Sequence, residues 1–119
     1  MDTSPTILAL NRNPRNLELL TQFLGKRGLL VVGVTTLGEF ARAVDEKPIS
    51  VALVDITGFD STIWEHCERL RARDIPFLIL SPRQSAALQQ EGLARGARGV
   101  LVKPLVSEEL VRLINSMLK

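Results

Sequence analysis

The sequence predicts an α/β fold in which five parallel strands alternate with five helices. Five short apolar runs recur along the 119 residues, and each is followed by a loop and then by apolar residues at helical spacing. The third run ends at Asp55 after four consecutive apolar residues, which is typical of a strand buried on both faces of a parallel sheet. Such strands need covering helices on both faces, so the alternation predicts right-handed crossover connections.

The first strand and helix are predicted from residues 6–28. An apolar run over residues 6–10 stops at a polar loop, where Asn13 fits the N-cap of a helix and Pro14 its first position. Apolar residues then recur at helical spacing until Gly28: Leu17, Leu20, Phe23 and Leu24.

The second and third units follow the same plan. A strand is predicted over residues 30–34, and Thr35 or Thr36 can cap a helix that Lys47-Pro48 ends. After the strand to Asp55, a helix is predicted from about Ser61, and its apolar face holds Ile63, Cys67 and Leu70. Cys67 is therefore expected in the core rather than as a nucleophile.

The last two units complete the alternation. A doubly buried strand over residues 77–80 ends at Ser81, and a less regular helix spans residues 85–95, interrupted by Gly92. The fifth strand, residues 100–102, ends at Lys103-Pro104. The final helix begins at Ser107 and shows a complete amphipathic pattern: Leu110, Leu113, Ile114, Met117 and Leu118.

Composition excludes several classes of protein. The 15 basic and 13 acidic residues give a net charge of +2, and the scattered basic residues with few aromatics argue against nucleic-acid binding. No apolar run approaches the roughly 20 residues of a membrane span, so a cytoplasmic protein is expected. The single Cys67 and the single His66 exclude an internal disulfide and a structural zinc site.

Polar side chains follow the strands at one predicted edge of the sheet. The carboxyl ends of parallel strands share an edge where α/β folds bind ligands. This places five residues in one crevice, which is the candidate site: Asn11, Arg12, Asp55, Ser81 and Lys103. Taken alone, Asp55 could instead be an ordinary acidic residue at the end of a strand, where the chain meets water.

These residues give the chain a resemblance to the receiver (CheY-like) domains of two-component signalling, over essentially its whole length. Receivers have an acidic pair after the first strand, a phosphoacceptor aspartate after the third, Ser or Thr after the fourth and Lys-Pro after the fifth. Asp55, Ser81 and Lys103-Pro104 match this pattern. The resemblance implies one domain over residues 1–119 with a three-layer, flavodoxin-like (βα)5 fold and sheet order 2-1-3-4-5.

The chain also departs from the receiver pattern. Asn11 and Arg12 replace the acidic pair, and Val100 replaces the switch aromatic of the fifth strand. Three carboxylates would carry −3, whereas Asn11, Arg12 and Asp55 sum to zero, so magnesium binding should be poor and no metal is expected. Arg12 can pair with Asp55 instead; the alternative is that it extends into solvent.

Receivers that have lost the acidic pair resemble the pseudo-receiver domains of cyanobacterial clock proteins, among them that of the circadian input histidine kinase. This resemblance implies a non-catalytic regulatory module of two-component or clock signalling that is not phosphorylated. It would bind a protein, either a clock component or the kinase region of the same chain, and it could respond to a quinone as a redox cue. The alternative is a phosphorylatable receiver in which Asp55 accepts phosphate from a histidine kinase.

The receiver resemblance also implies where a partner docks. We expect docking on the face made by the fourth helix, the fifth strand and the fifth helix, with Leu88, Gly92 and Val100 as candidate contacts. Gly92 weakens its helix by on the order of 1 kcal/mol relative to Ala, and a marginal helix adapts more easily on binding. The alternative is that Gly92 allows close packing and that Val100 is an ordinary strand residue.

Overall fold

The computed structural model describes residues 4–118, which contain five strands and five helices. The strands are β1 (Thr6–Leu10), β2 (Leu30–Val34), β3 (Val51–Asp55), β4 (Phe77–Ser81) and β5 (Gly99–Val102). The helices are α1 (Pro14–Gly25), α2 (Leu37–Glu46), α3 (Ile63–Ala72), α4 (Ala86–Ala94) and α5 (Ser107–Met117). All strands are parallel and lie in the order β2-β1-β3-β4-β5, so the predicted (βα)5 fold and its strand order are confirmed.

Two apolar clusters cover the two faces of the sheet. Successive strand residues point to opposite faces, so Leu53 joins the cluster that includes α1 and α5, whereas Val54 joins the one that includes α2 and α3. Every residue of β3 is buried, as its continuous apolar run predicts. Because helices cover both faces of the sheet, a binding site is expected at the carboxyl ends of the strands.

The register of the sheet aligns the strand ends that carry the candidate residues. Asp55 lies opposite Leu80 of β4, and Ser81 lies opposite Val102 of β5. Val54 pairs with Leu10 of β1, so the loop after β1 also begins beside Asp55. The loops after β1, β3, β4 and β5 therefore open at the same edge of the sheet.

Side-chain caps fix the start of three helices: α1, α2 and, through the Ser85 hydroxyl that accepts the N–H of Leu88, α4. The Asn13 side chain accepts a hydrogen bond from the backbone N–H of Arg15 at 2.9 Å, as predicted for the N-cap of α1. Thr36 caps α2 by accepting the N–H of Glu39, and the Glu39 carboxylate accepts the N–H of Thr35. The hydrogen bond from Thr35 lowers the pKa of Glu39, because it stabilises the charged form.

Helix α3 begins at Ile63, two residues after the Ser61 predicted from the sequence. The cause is Asp60, whose carboxylate accepts both the N–H and the hydroxyl of Thr62 and so holds these residues in a turn. These two hydrogen bonds lower the pKa of Asp60. Short polar side chains of this kind compete with the first helical turn for backbone donors.

Cys67 lies in the core, as its helical position predicts. Its burial raises the pKa of the thiol to about 12, so it stays protonated and unreactive at neutral pH. Within residues 4–118, no helix has the length and apolar character needed to cross a membrane.

Candidate functional site

Asp55 lies at the centre of the candidate site, where its side chain is only 2% exposed. Its Oδ2 atom accepts a hydrogen bond from Asn11 Nδ2 at 3.0 Å and another from Lys103 Nζ at 2.7 Å. Its Oδ1 atom accepts the backbone N–H of Thr57 at 3.0 Å. Both carboxylate oxygens therefore have partners supplied by the chain itself.

Lys103 neutralises the buried charge of Asp55. Its stem extends from the end of β5, and its ammonium also donates to the Thr57 hydroxyl at 2.9 Å. The Lys103 side chain is 28% exposed, so the ion pair joins a buried carboxylate to an ammonium that still meets water. This arrangement limits the desolvation cost of the pair while leaving no uncompensated charge inside.

Asn11 is oriented by the loop that leads into α1. Its side-chain Oδ1 atom accepts the N–H of Asn13 at 2.8 Å, which leaves its Nδ2 group free to donate to Asp55. Since Asn13 is itself the N-cap of α1, the start of that helix holds the amide in place. An acidic residue at this position could not donate to Asp55 in the same way.

Arg12 does not form the ion pair with Asp55 that the sequence suggested. It donates from Nη1 to the Gly58 carbonyl, and its guanidinium carbon lies 5.8 Å from the centre of the Phe59 ring. Asp55 already has three donors in a buried position, whereas Gly58 is exposed and lets the guanidinium keep its water. The alternative of a free side chain in solvent is also incomplete, because Arg12 joins the β1–α1 loop to the β3–α3 loop.

Gly58 makes the approach of Arg12 possible. Its φ angle is +83°, and a Cβ atom there would lie 2.9 Å from Arg12 Cδ. The left-handed backbone favours glycine at this position, and a Cβ atom would also displace the Arg12 side chain from its present place.

Ser81 reaches the same edge of the sheet but its hydroxyl bonds within its own loop. Its Oγ atom donates to the Arg83 carbonyl at 2.6 Å and accepts the Arg83 N–H at 3.3 Å. The side chain is fully buried. The structure thus brings Asn11, Asp55 and Lys103 into one hydrogen-bonded group and leaves Ser81 and Arg12 outside it.

The candidate docking residues have three different environments. Gly92 is buried, and a Cβ atom there would lie 2.8 Å from Val100 Cγ2, so the close-packing alternative describes it and it offers no exposed contact. Val100 is half-buried and packs against the core. Leu88 is half-buried and lines an open cavity beside the site.

The residues at this edge do not fit a divalent cation. Such ions take six or more oxygen ligands, with carboxylates supplying most of the charge. Here Asp55 is neutralised by Lys103, and Asn11 turns its amide nitrogen, not its oxygen, towards Asp55. Across residues 4–118, no three His, Cys, Asp or Glu side chains are grouped to hold a metal ion.

Thr57 is a site residue that the sequence reasoning missed. It supplies the N–H that holds Asp55 Oδ1 and the hydroxyl that receives Lys103. A signal was present, because an aspartate commonly accepts the N–H two residues further along the chain.

The chain is similar in sequence to several bacterial proteins. It is 31% identical over 118 residues to the protein PilH of Pseudomonas aeruginosa, covering 94% of this chain and 96% of PilH. It is 27% identical to the transcriptional regulatory protein GltR of the same organism and 28% identical to HprR of Escherichia coli, covering 96% and 95% of this chain. The chain spans only 49% and 51% of those two regulators.

Solved structures agree with this similarity at the level of the fold. A CheY-like receiver domain protein from Methanospirillum hungatei superposes with a TM-score of 0.88 at 23% identity, covering 98% of this chain and 94% of that one. A two-component response regulator from Clostridium difficile gives a TM-score of 0.89 at 19% identity, covering 97% and 96%. The family profile described as the response regulator receiver domain matches residues 7–115. The chain therefore belongs to the response regulator receiver domain family.

Proposed function

We propose that this receiver is a non-catalytic, protein-binding regulatory module of two-component signalling whose Asp55 is not phosphorylated and which holds no Mg²⁺. The observation that carries the proposal is the state of Asp55. Both of its oxygens accept hydrogen bonds from the chain, in a pocket where Lys103 balances its charge. Asp55 is thus a structural anion at the point where the family places a phosphoacceptor.

The chemistry of phosphoryl transfer supports this proposal. The reaction depends on cations that neutralise charge on the transferred group, and a bound divalent metal is a main source of that stabilisation. Asn11 contributes no charge, and Arg12 is directed to Gly58 and Phe59 on the outer side of the loop. Lys103 is then the cation nearest to Asp55, and its bond to the carboxylate opposes attack by that oxygen.

Arg12 supports the proposal in a second way. By joining the loops after β1 and β3, it supplies a fixed link between two segments of the site. This hydrogen bond favours the observed arrangement of the β3–α3 loop.

The second candidate function is a phosphorylatable receiver, and one observation favours it. Lys103 Nζ lies 2.7 Å from Asp55 Oδ2, so the lysine of the receiver pattern is in contact with the acceptor residue. Under this alternative Lys103 would move from the carboxylate to a phosphoryl oxygen after transfer.

Phosphorylation of Asp55 is the decisive test. The purified chain is incubated with acetyl phosphate and MgCl2 and its intact mass is measured, and beryllofluoride binding is followed by ¹⁹F NMR. We expect no adduct and no bound fluoride signal, with Asp55→Asn as a control that cannot react at this position. A stoichiometric adduct that Asp55→Asn abolishes would establish the second function and end the first.

For the partner, we propose a protein that docks on α4, β5 and α5. Four large apolar side chains are exposed among the described residues, and two of them lie in α4 and just before α5: Leu93 at 52% and Val106 at 63%. The other two, Leu19 and Leu30, lie in α1 and β2. The first pair suits an apolar contact on the proposed face. The cytoplasmic location expected from the lack of a long apolar run also stays a prediction. The clock resemblance implies that the partner is a clock component or the kinase region of the same chain, and that a quinone is a ligand. These finer points stay predictions of that resemblance.

A further inference from the structure

An open cavity of about 490 Å³ lies next to the Asp55 group, between the β3–α3 loop and α4. The loop side is formed by residues 56–59 and the helix side by Ala87, Leu88 and Glu91. Its volume falls within the range of small-molecule sites, roughly 300–1,000 Å³. Asp55, Asn11 and Lys103 are not among its walls, so the cavity adjoins the candidate phosphoacceptor site and shares Thr57 with it.

The walls of this cavity suit an aromatic ring. Phe59 and Trp64 both line it, although the whole chain has only four Phe and one Trp. Ile56 and Leu88 add aliphatic surface, and these four side chains are half-buried. Aromatic rings gain from apolar burial and from stacking or edge contacts with other rings.

The unpaired charge at this cavity is positive. Arg83 lies in its wall, is exposed, and its guanidinium has no hydrogen-bond or ion-pair partner within the described residues 4–118. Glu91 also lines the cavity, but it is ion-paired: Arg95 Nε donates to it at 2.7 Å, and the same guanidinium lies 3.6 Å from Glu68. A guanidinium with free donors favours a carboxylate, which it can bind through two parallel hydrogen bonds.

We propose that this cavity binds a small aromatic carboxylic acid, with the ring against Phe59 and Trp64 and the carboxylate on Arg83. Thr57 also lines the cavity and holds both Asp55 and Lys103. A ligand that shifts Thr57 therefore changes the Asp55 group from outside, without transfer of phosphate. The cavity thus lets a small molecule regulate the receiver. This regulation does not depend on whether Asp55 accepts phosphate.

Binding is tested by titrating the ¹⁵N-labelled chain with benzoate, 2-naphthoate and indole-3-acetate, each beside its neutral amide. Trp64 is the single tryptophan, so its indole N–H gives one resonance that reports directly on the cavity. We expect saturable shifts of this resonance and of residues 56–59 and 83–88. The acid should bind at least about fivefold more tightly than its amide, the scale by which a hydrogen bond to a charged group exceeds one to a neutral group.

The variant Arg83→Gln separates the charge from the apolar walls. It should weaken binding of the acid by about fivefold while leaving the amide unchanged, since only the charged hydrogen bonds are lost. Arg98→Gln is the matched control, because Arg98 is also exposed but lies in a different surface depression. The proposal is overturned if none of the three acids gives saturable shifts, if acid and amide bind equally, or if Arg83→Gln binds the acid as the unmodified chain does.

Discussion

Lys103 illustrates how one residue decides the state of the site. Asp55 is buried by the strand that carries it, and a buried carboxylate without a partner is costly. Asn11 and Thr57 provide two neutral donors, and of the residues that the structure describes only Lys103 provides a compensating charge. The free energy of folding should therefore depend strongly on Lys103 even in the absence of any ligand.

We predict that Lys103→Met lowers the free energy of unfolding by about 2 kcal/mol, because it leaves the Asp55 charge buried with hydrogen bonds alone. Urea denaturation at neutral pH measures the change. Adding Asp55→Asn removes the unpaired buried charge, so the double variant should recover part of the lost free energy of unfolding. Lys26→Met, at an exposed helix end, is the control and should be close to neutral. Equal losses in Lys103→Met and Lys26→Met would contradict a structural role for the ion pair.

Gly92 provides a second prediction at the residue scale. A Cβ atom at Gly92 would lie 2.8 Å from Val100 Cγ2, so Gly92→Ala must displace a stiff, β-branched side chain. Overpacking costs about 1–3 kcal/mol, which exceeds the gain of up to about 1 kcal/mol in helix propensity. We expect a net loss of about 1 kcal/mol in thermal or urea unfolding.

Two further variants test the cause of that loss. In a Val100→Ala background the contact disappears, and Gly92→Ala should become neutral or stabilising. At Gly38 in α2, an added Cβ atom would have no described neighbour within 4 Å. Gly38→Ala should therefore stabilise the chain by about 0.5 kcal/mol through helix propensity alone. If Gly92→Ala behaves like Gly38→Ala, the close contact with Val100 does not limit packing there.

At the scale of elements, α2 and α3 meet around His66. Its Nδ1 atom is buried and has no hydrogen-bond partner among residues 4–118, and its ring packs edge-on against Phe40 at 5.9 Å. Burial lowers the pKa of His66, Arg69 lowers it further, and Glu65 partly opposes them. The contact between the two helices thus favours the neutral imidazole.

The pH dependence follows from the direction of this shift. Because the folded pKa of His66 is below its ordinary value, the unfolded chain binds the proton more readily, and stability falls as pH drops below about 6.5. We predict that the difference in unfolding free energy between the unmodified chain and His66→Gln shrinks between about pH 7.5 and about pH 5. A difference independent of pH would show that the helix contact tolerates the charged ring.

Some element boundaries could be predicted and others could not. The strands were clear because each is a continuous apolar run, and the α1 start was clear because Asn13-Pro14 is a strong local signal. The start of α3 was misplaced because Ser61 and Asp60 are both plausible caps, and only the structure shows Asp60 holding Thr62 in a turn. Competition between neighbouring capping residues leaves no periodic pattern of apolar residues in the sequence.

At the scale of the whole molecule, the sequence located the site but not its internal bonds. Parallel topology alone brings Asn11, Asp55, Ser81 and Lys103 to one edge. The partner of Arg12 could not be predicted, because its long side chain can reach several acceptors and the choice depends on which of them are already occupied. The Asp55 carboxylate already accepts hydrogen bonds from other residues, whereas Gly58 is exposed, and Arg12 therefore donates to the Gly58 carbonyl.

The low net charge of the crevice at the strand ends leads to a prediction about the stability of the whole domain. A ligand that binds only the folded chain raises stability by RT ln(1 + [L]/Kd), so the melting temperature reports Mg²⁺ binding without any activity assay. We predict no shift for the unmodified chain between NaCl and MgCl2 at matched ionic strength. Asn11→Asp with Arg12→Asp restores two carboxylates beside Asp55 and should create a binding site.

In that double variant, Mg²⁺ at about ten times its Kd should add about 1.4 kcal/mol, a rise of about 5 °C in melting temperature. Without Mg²⁺ the variant should melt below the unmodified chain, because it gains two uncompensated acidic groups and loses the Asn11 and Arg12 contacts. Asn11→Asp alone leaves Arg12 in place and should respond more weakly. A Mg²⁺ shift in the unmodified chain would show that the present residues do hold the ion. A folded double variant that ignores Mg²⁺ would show instead that loop geometry, rather than charge, determines whether this crevice accepts a metal.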